Sequence, residues 1–290
     1  MFIEIIDIII SGLLNGSVYA LMAIGLALVY GVTKAFNFAY GSFYTMGGYF
    51  AWTLLVSMGI KGGYYTVFLT AIPFLFIVGF FLEKVLISPL RKRSDWQMKA
   101  MMLTLGLSLF LDIGYIAIFG PRLKSLPDIV EGTIDIGPFA FMNQDIVIFI
   151  LSITGLLCFA WMLNNTRIGM AVQAVAQNPI GAQIVGIPKD RVFAATFAIS
   201  TIMVGIGGIL LSQKNFVNPQ ASTGIMIKAW VITAFGGMGS IKGSLYAALI
   251  IGMLEAFVGY YLGMIHIEVA VLTLLLITLA FRPQGLMGRE

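Results

Sequence analysis

Charged residues are scarce in this sequence. Only 10% of its 290 residues are Asp, Glu, Lys or Arg, whereas soluble domains carry about 25%. It also holds a single cysteine, Cys158, and a single histidine, His266. One cysteine excludes an internal disulfide framework, and the lack of clustered His, Cys or Asp argues against a metal centre or a hydrolytic site. We therefore expect no catalytic residues, no metal and no cofactor.

A nucleotide-binding loop is also missing. The Gly-rich stretch around Lys242 has Gly where a phosphate-binding loop requires Ser or Thr after the lysine. A chain of this kind that pumps a solute takes its energy from a partner or from an ion gradient. The net charge of +4 is modest and its basic residues concentrate in a few loops, so no nucleic-acid partner is expected.

Long apolar runs dominate what is present. Hydrophobic residues make up 59% of the chain, and no charged residue occurs in 8–33, 35–60, 62–82 or 192–213. Each run reaches or exceeds the ~20 residues that an α-helix needs to cross a bilayer. Barrel strands alternate apolar and polar residues, which these runs do not. The sequence predicts an all-α, polytopic membrane bundle of about 8–10 transmembrane helices, in contact with lipid.

The predicted spans are separated by loops of different charge. They lie near 8–33, 41–60, 64–87, 100–119, 144–163, 191–213, 243–262 and 267–281. A shorter apolar piece at 225–238 would reach only ~21 Å as a helix, so we interpret it as a broken or re-entrant element. Basic residues cluster in 83–99 and 164–191, which the positive-inside rule places in the cytoplasm. The connection 120–145 is then external.

Two glycine-rich stretches resemble each other weakly. Residues 37–44 and 239–246 share a Gly-Ser-apolar-Tyr core. Such breaks are where transporters place their path, although close packing of helices through glycine explains them equally well. Polar side chains near the breaks are candidates to line a path: Asn15, Tyr19, Asn37 and Tyr44. Asp112 and Glu255 lie inside predicted spans, where a carboxylate either serves transport or ties helices together.

The cytoplasmic segment 167–187 carries helix signals. Asn178 followed by Pro179 predicts an N-cap and a first helical residue, and Gly186 predicts a stop. A helix of about two turns is too short to be stable alone. It packs on its own bundle, or it docks into a groove on a motor subunit.

These residues resemble the permeases of branched-chain amino acid ABC importers, specifically the smaller subunit of the usual pair. The resemblance runs through most of the chain and includes GLLNGSVYAL at 12–21, NFAYG at 37–41, TLGLS at 104–108, GGMGS at 236–240 and FRPQGL at 281–286. It implies a single permease domain over 1–290 in the inner, cytoplasmic membrane. It also implies alternating access, with branched-chain or related small amino acids as substrates.

The resemblance further implies a second homologous permease, two ABC ATPase subunits and an extracytoplasmic substrate-binding protein as partners. It makes 167–187 the ATPase-coupling segment, with the residues Arg167, Gly169, Asn178, Pro179, Ala182, Ile184, Gly186 and Ile187. The chain departs from the family pattern at Tyr40, often His, at Met170 and Gln173, often basic, and at Asp112, more often a neutral amide. Urea or short amides are alternative substrates within the family, and an ion-coupled stand-alone carrier is the alternative outside it.

Overall fold

A computed structural model describes residues 2–60, 62–136 and 139–288 of the chain. Eleven α-helices occupy most of these residues. Their bounds are α1 Phe2–Thr33, α2 Tyr40–Trp52, α3 Gly63–Leu82, α4 Trp96–Phe119, α5 Asn143–Asn165, α6 Arg167–Gln177, α7 Pro179–Ile184, α8 Lys189–Asn215, α9 Ala221–Gly236, α10 Ile241–Tyr261 and α11 Ile267–Phe281. The predicted all-α membrane bundle is confirmed.

Seven helices in the described residues are long and apolar enough to cross a membrane. Two others are shorter: α9 has 16 residues, and α2 has 13 before it continues as a π-helical turn, Thr53–Ser57. At 1.5 Å per residue α9 reaches ~24 Å, less than the ~30 Å of hydrocarbon. The predicted short element is therefore present, although it begins four residues before the predicted 225. It ends at a turn where Gly237 and Gly239 have φ of 104° and 83°.

The chain divides into two compact units. The first contains the described residues up to Ala27, Asp128–Leu156 and those from Lys228 onward. Here α1 packs on α10 through glycine, because a Cβ added at Gly252 would lie 2.6 Å from the Cα of Gly16. A Gly on each helix thus permits backbone contact that larger side chains would prevent.

The first unit also holds two short strands, in the connection that the sequence analysis predicted to be external. β1 (Thr133–Ile136) pairs antiparallel with β2 (Phe139–Met142), with Thr133 opposite Met142. The sequence analysis described 120–145 as a connection and named no strands in it. Their side chains in 135–141 and the turn between them lie outside the described residues.

The second unit consists of Leu28–Pro127 and Leu157–Ile227. Its centre is α8, which is buried along most of its length and packs against α2 and α3. The approach of α2 to α8 is close, since a Cβ at Gly47 would meet the Gly205 carbonyl oxygen at 2.0 Å. The prediction of one permease domain over residues 1–290 stays a prediction beside this division.

Candidate functional site: a charged cluster and a capped short helix

Three residues of the first unit form a charged cluster between α9, α10 and α1. Lys228 Nζ lies 2.9 Å from Glu255 Oε1. It also donates hydrogen bonds of 3.1 Å to Glu255 Oε2 and to the hydroxyl of Tyr19. The Tyr19 hydroxyl in turn donates to Glu255 Oε2 at 2.8 Å. The Tyr19 ring adds a cation–π contact, with Nζ 4.7 Å from its centroid. We call Tyr19, Lys228 and Glu255 the charged cluster.

Burial in the charged cluster is uneven. Tyr19 and Glu255 are buried, whereas the Lys228 side chain is 26% exposed. Lys228 lies midway along α9 and is the only charged residue of that helix. Thr233, further along α9, hydrogen-bonds the Ala23 carbonyl of α1 at 3.3 Å, so α9 and α1 are joined at more than one point.

The predicted path residue Tyr19 therefore contacts two charged partners. The sequence analysis left Glu255 open between serving transport and tying helices together, and it did not name Lys228 as a candidate. A signal was available: Lys228 is a lone cation in the apolar piece 225–238. Ionisable residues inside membrane helices are rare and usually serve transport, which should have made it a candidate.

Asp112 belongs to a separate polar cluster in the second unit. Its Oδ1 accepts a hydrogen bond of 2.8 Å from Ser42 Oγ, and its Oδ2 accepts one of 2.6 Å from Ser222 Oγ. Ser42 and Ser222 lie in the first turns of the short helices α2 and α9, where a carboxylate also favours the positive end of the helix dipole. The Tyr115 hydroxyl donates to the Ser42 carbonyl oxygen at 2.9 Å. Asp112 thus ties α4 to both short helices.

The remaining path candidates are held by local contacts. Asn37 is buried, and its Oδ1 accepts from the backbone N–H of Ala39 at 3.0 Å, immediately before α2. Tyr44 is buried on α2. Asn15 is half-buried on α1, one turn before Tyr19 and on the same face. Asn15 and Tyr19 belong to the first unit, and Asn37, Tyr44 and Asp112 to the second.

The segment 167–187, predicted to be cytoplasmic, contains two helices where the sequence analysis described only one. The added helix, α6, runs over Arg167–Gln177 and is capped by Thr166, whose side chain accepts from Gly169 N at 3.1 Å. Gly169 is buried and packs so closely that a Cβ there would lie 2.3 Å from the Met162 carbonyl oxygen. Gln173 donates to the Leu163 carbonyl at 2.8 Å.

The second helix, α7, has the predicted caps. Asn178 Oδ1 accepts hydrogen bonds from the N–H groups of Ile180 at 3.1 Å and Gly181 at 2.9 Å. Pro179 is the first helical residue, and Gly186 follows the helix with φ of 85°. The N–H of Ile187 closes the end by donating to the Ala182 carbonyl at 2.9 Å.

The faces of α7 differ in burial. Ala182 is buried, whereas the large apolar side chains Ile180, Ile184 and Val185 are exposed, Ile184 by 82%. Arg167, at the start of α6, is exposed as well. One face of α7 therefore packs on the protein, and the other presents apolar surface.

An ion-pair chain follows α7. Asp190, in the first turn of α8, lies 3.2 Å from a terminal nitrogen of Arg91, which also pairs with Glu83. Glu83 and Arg91 are buried and Asp190 is exposed. The Arg91 guanidinium lies over the Phe193 ring at 4.7 Å. These contacts join the start of α8 to the end of α3.

Comparison with known proteins identifies the family of this chain. A family model described as "Branched-chain amino acid transport system / permease component" matches residues 8–280. The chain belongs to this family. The high-affinity branched-chain amino acid transport system permease protein LivH of Escherichia coli is 32% identical, with 99% of this chain and 97% of that protein covered.

Two further relatives are similar to this chain over most of their length. The high-affinity branched-chain amino acid transport system permease protein BraD of Pseudomonas aeruginosa is 29% identical over 97% of this chain and 95% of its own. The probable branched-chain amino acid transport permease protein LivH of Methanocaldococcus jannaschii is 29% identical over 95% and 90%. No solved structure matches. The predicted family and the multi-pass location in the cell membrane are confirmed.

Proposed function

We propose that this chain is one permease subunit of an ATP-binding cassette importer for branched-chain amino acids. The names of relatives that match nearly its whole length support this substrate class. The proposed assembly contains a second homologous permease, two ATPase subunits and an extracytoplasmic substrate-binding protein. The chain acts as one non-catalytic domain over residues 1–290. It transports by alternating access, with hydrolysis carried out by the ATPase partners.

The exposed apolar face of α7 is the observation that carries the proposal. A helix of 6 residues is too short to persist alone, and Ala182 anchors it to the protein. The exposed face, with Ile180, Ile184 and Val185, suits insertion into an apolar groove of a partner. The excess of basic residues in 164–191 supports a cytoplasmic position, where an ATPase would bind.

The ion-pair chain of Asp190, Arg91 and Glu83 would transmit a movement of α7 to α8 and α3. A rigid displacement of α7 moves the start of α8 directly, because few residues separate Ile184 from Lys189. Arg91 contacts both Asp190 on α8 and Glu83 at the end of α3, so α3 moves with α8. In this proposal Arg167–Ile187 is the coupling segment, and the buried α8 carries its motion across the membrane.

An exposed substitution on α7 tests the proposal in the complete transporter in liposomes. Ile184→Glu places a charge in the proposed apolar groove, so leucine uptake and substrate-stimulated ATP hydrolysis should both fall by about tenfold or more. Ile265→Glu is the matched control, because Ile265 is 89% exposed on a connection far from α7 in sequence. It should leave both activities unchanged.

Two results would contradict the proposal that the chain belongs to an ATP-driven importer. One is leucine uptake by the wild-type chain in cells that lack every ABC ATPase. The other is flux driven by an ion gradient in liposomes that contain this chain alone, which would support the ion-coupled carrier. Ala182→Glu is not a useful test of docking, since Ala182 is buried and the substitution would disturb the packing of α7 itself.

A further inference from the structure

The position of Lys228 is unusual for an ammonium group in a membrane helix. It lies midway along α9, and its side chain stays 26% exposed. Glu255 and Tyr19 hold Nζ, so the side chain does not extend to a helix end where it would reach the headgroups. A charged group exposed to hydrocarbon is strongly disfavoured. An ammonium group midway along an apolar helix therefore needs water or polar groups around it, which suits a position beside an aqueous path.

The charged cluster is neutral in the absence of a substrate. The positive charge of Lys228 is balanced by the carboxylate of Glu255, and the Tyr19 hydroxyl contacts both. A neutral pair avoids the large penalty that a single charge meets in a medium of low dielectric constant. It also attracts no permanent counter-ion into the path.

One atom of the charged cluster has spare capacity. Glu255 Oε1 is buried and lies 2.9 Å from Nζ, yet it accepts no hydrogen bond of good geometry from any described residue. Buried carboxylate oxygens are normally hydrogen-bonded. Oε1 is therefore able to accept a hydrogen bond from an ammonium group that arrives from the path.

An amino acid carries the complementary pair of charges. We propose that Lys228 and Glu255 form a charge-exchange site for the substrate: Lys228 releases Glu255 to bind the substrate carboxylate, and Glu255 binds the substrate ammonium group. Tyr19 orients Glu255 through its hydroxyl during the exchange. The exchange of one neutral pair with a zwitterion leaves the net charge in the path at zero. This inference rests on the proposed function and assigns the residues that recognise the charged part common to all amino acids.

A urea-like substrate would not need the site, because it carries no formal charges. A purely structural role would make the cluster a link between α9, α10 and α1 with no access to water. Labelling of an introduced cysteine separates these cases. Cys158 is the only cysteine of this chain, so Cys158→Ser leaves the chain without a native thiol, and labelling is read on this chain after the subunits are separated.

The experiment uses the complete transporter in liposomes with Cys158→Ser and Lys228→Cys. Lys228→Cys should lower leucine uptake by about tenfold or more, as expected for the loss of hydrogen bonds to a charged group. Membrane-impermeant aminoethyl methanethiosulfonate should modify the cysteine, and leucine should slow the modification. The aminoethyl adduct restores an ammonium group and should recover uptake, whereas the neutral methylthio adduct should not. Leu276→Cys, on the exposed apolar surface of α11, is the control that should not react.

The outcomes are separable from those of the proposed function, because labelling does not depend on ATP hydrolysis. No modification of Lys228→Cys in any nucleotide state would overturn the inference, as would equal uptake by the aminoethyl and methylthio adducts. If Lys228→Cys leaves Glu255 unpaired and the chain fails to fold, the double variant Lys228→Cys with Glu255→Gln removes the buried charge. Its labelling still decides whether position 228 faces water.

Discussion

Ser222 donates a hydrogen bond of 2.6 Å to the Asp112 carboxylate, joining two residues that are 110 positions apart in the chain. Ser42 occupies the other carboxylate oxygen at 2.8 Å. The aspartate that replaces the expected amide thus has a physical explanation. A carboxylate accepts from two hydroxyl donors at once, and it lies at the first turns of two short helices.

Asp112→Ala should destabilise the protein by about 1–2 kcal/mol, because interhelical hydrogen bonds to α2 and α9 are lost. Asp112→Asn should lose less stability than Asp112→Ala, since the amide oxygen still accepts from one serine and the amide N–H₂ can donate to the other. Thermal unfolding of the purified transporter, followed by tryptophan fluorescence, measures both. An ion-coupled carrier would behave differently: Asp112→Asn would abolish gradient-driven uptake while leaving the unfolding temperature unchanged.

Gly252→Val should prevent the close approach of α10 to α1. A Cβ at residue 252 would lie 2.6 Å from the backbone of both Gly12 and Gly16, so the helices must separate and lose packing. We expect a lower yield of monodisperse protein on size-exclusion chromatography and a lower unfolding temperature. Gly106→Ala is the control, because nothing lies within 4 Å of its added Cβ. Equal behaviour of the two variants would contradict this packing.

Arg91→Met should destabilise the protein by about 3–5 kcal/mol, because it leaves the buried carboxylate of Glu83 without its partner. The double variant Arg91→Met with Glu83→Met removes both charges and should recover most of the loss. Chemical denaturation of the purified chain provides the comparison. Asp190→Asn should change stability by less than about 1 kcal/mol, since Asp190 is 67% exposed. A large loss of stability in Asp190→Asn, or no recovery in the double variant, would contradict the assignment of Glu83 and Arg91 as the buried ion pair.

Asn178→Ala should loosen α7 by about 1 kcal/mol, because its side chain caps the N–H groups of Ile180 and Gly181. Asn178→Asp keeps the capping oxygen and should retain the helix. Hydrogen exchange at these two amides reports the change directly, and substrate-stimulated ATP hydrolysis should fall with it. Asn164→Ala, at an exposed position near the end of α5, should alter neither. Unchanged protection in Asn178→Ala would show that packing alone maintains α7.

Local chemistry explains why the caps of α7 were predictable. The caps of α7 depend on Asn178, Pro179 and Gly186, which are neighbours in sequence, and each acts on backbone groups within a few residues. The same holds for the apolar spans, whose hydrophobicity is independent of what they pack against. The strand pair at Thr133–Met142 was not predicted, because Thr133–Ile136 alternates polar and apolar residues over only four positions, too few to distinguish a strand from a loop.

The sequence could not predict which side chains on different helices contact each other. Asp112 could be selected from the sequence as an acid inside a predicted span, but its partners Ser42 on α2 and Ser222 on α9 could not be predicted. Lys228 and Glu255 are 27 positions apart, and Tyr19 and Glu255 are 236 apart, so no periodicity links them. The role of Ala182 and Ile184 also needed the structure, since both occur in one apolar helix and only packing decides which is buried.

The sequence on its own determined that this chain is a helical membrane protein with a short capped helix at Pro179–Ile184, because hydrophobic length and helix capping act within one segment. Tertiary structure alone decided which charges meet. A charge inside an apolar chain needs a partner, and the partner is chosen by how helices distant in sequence pack, which no single stretch of sequence records.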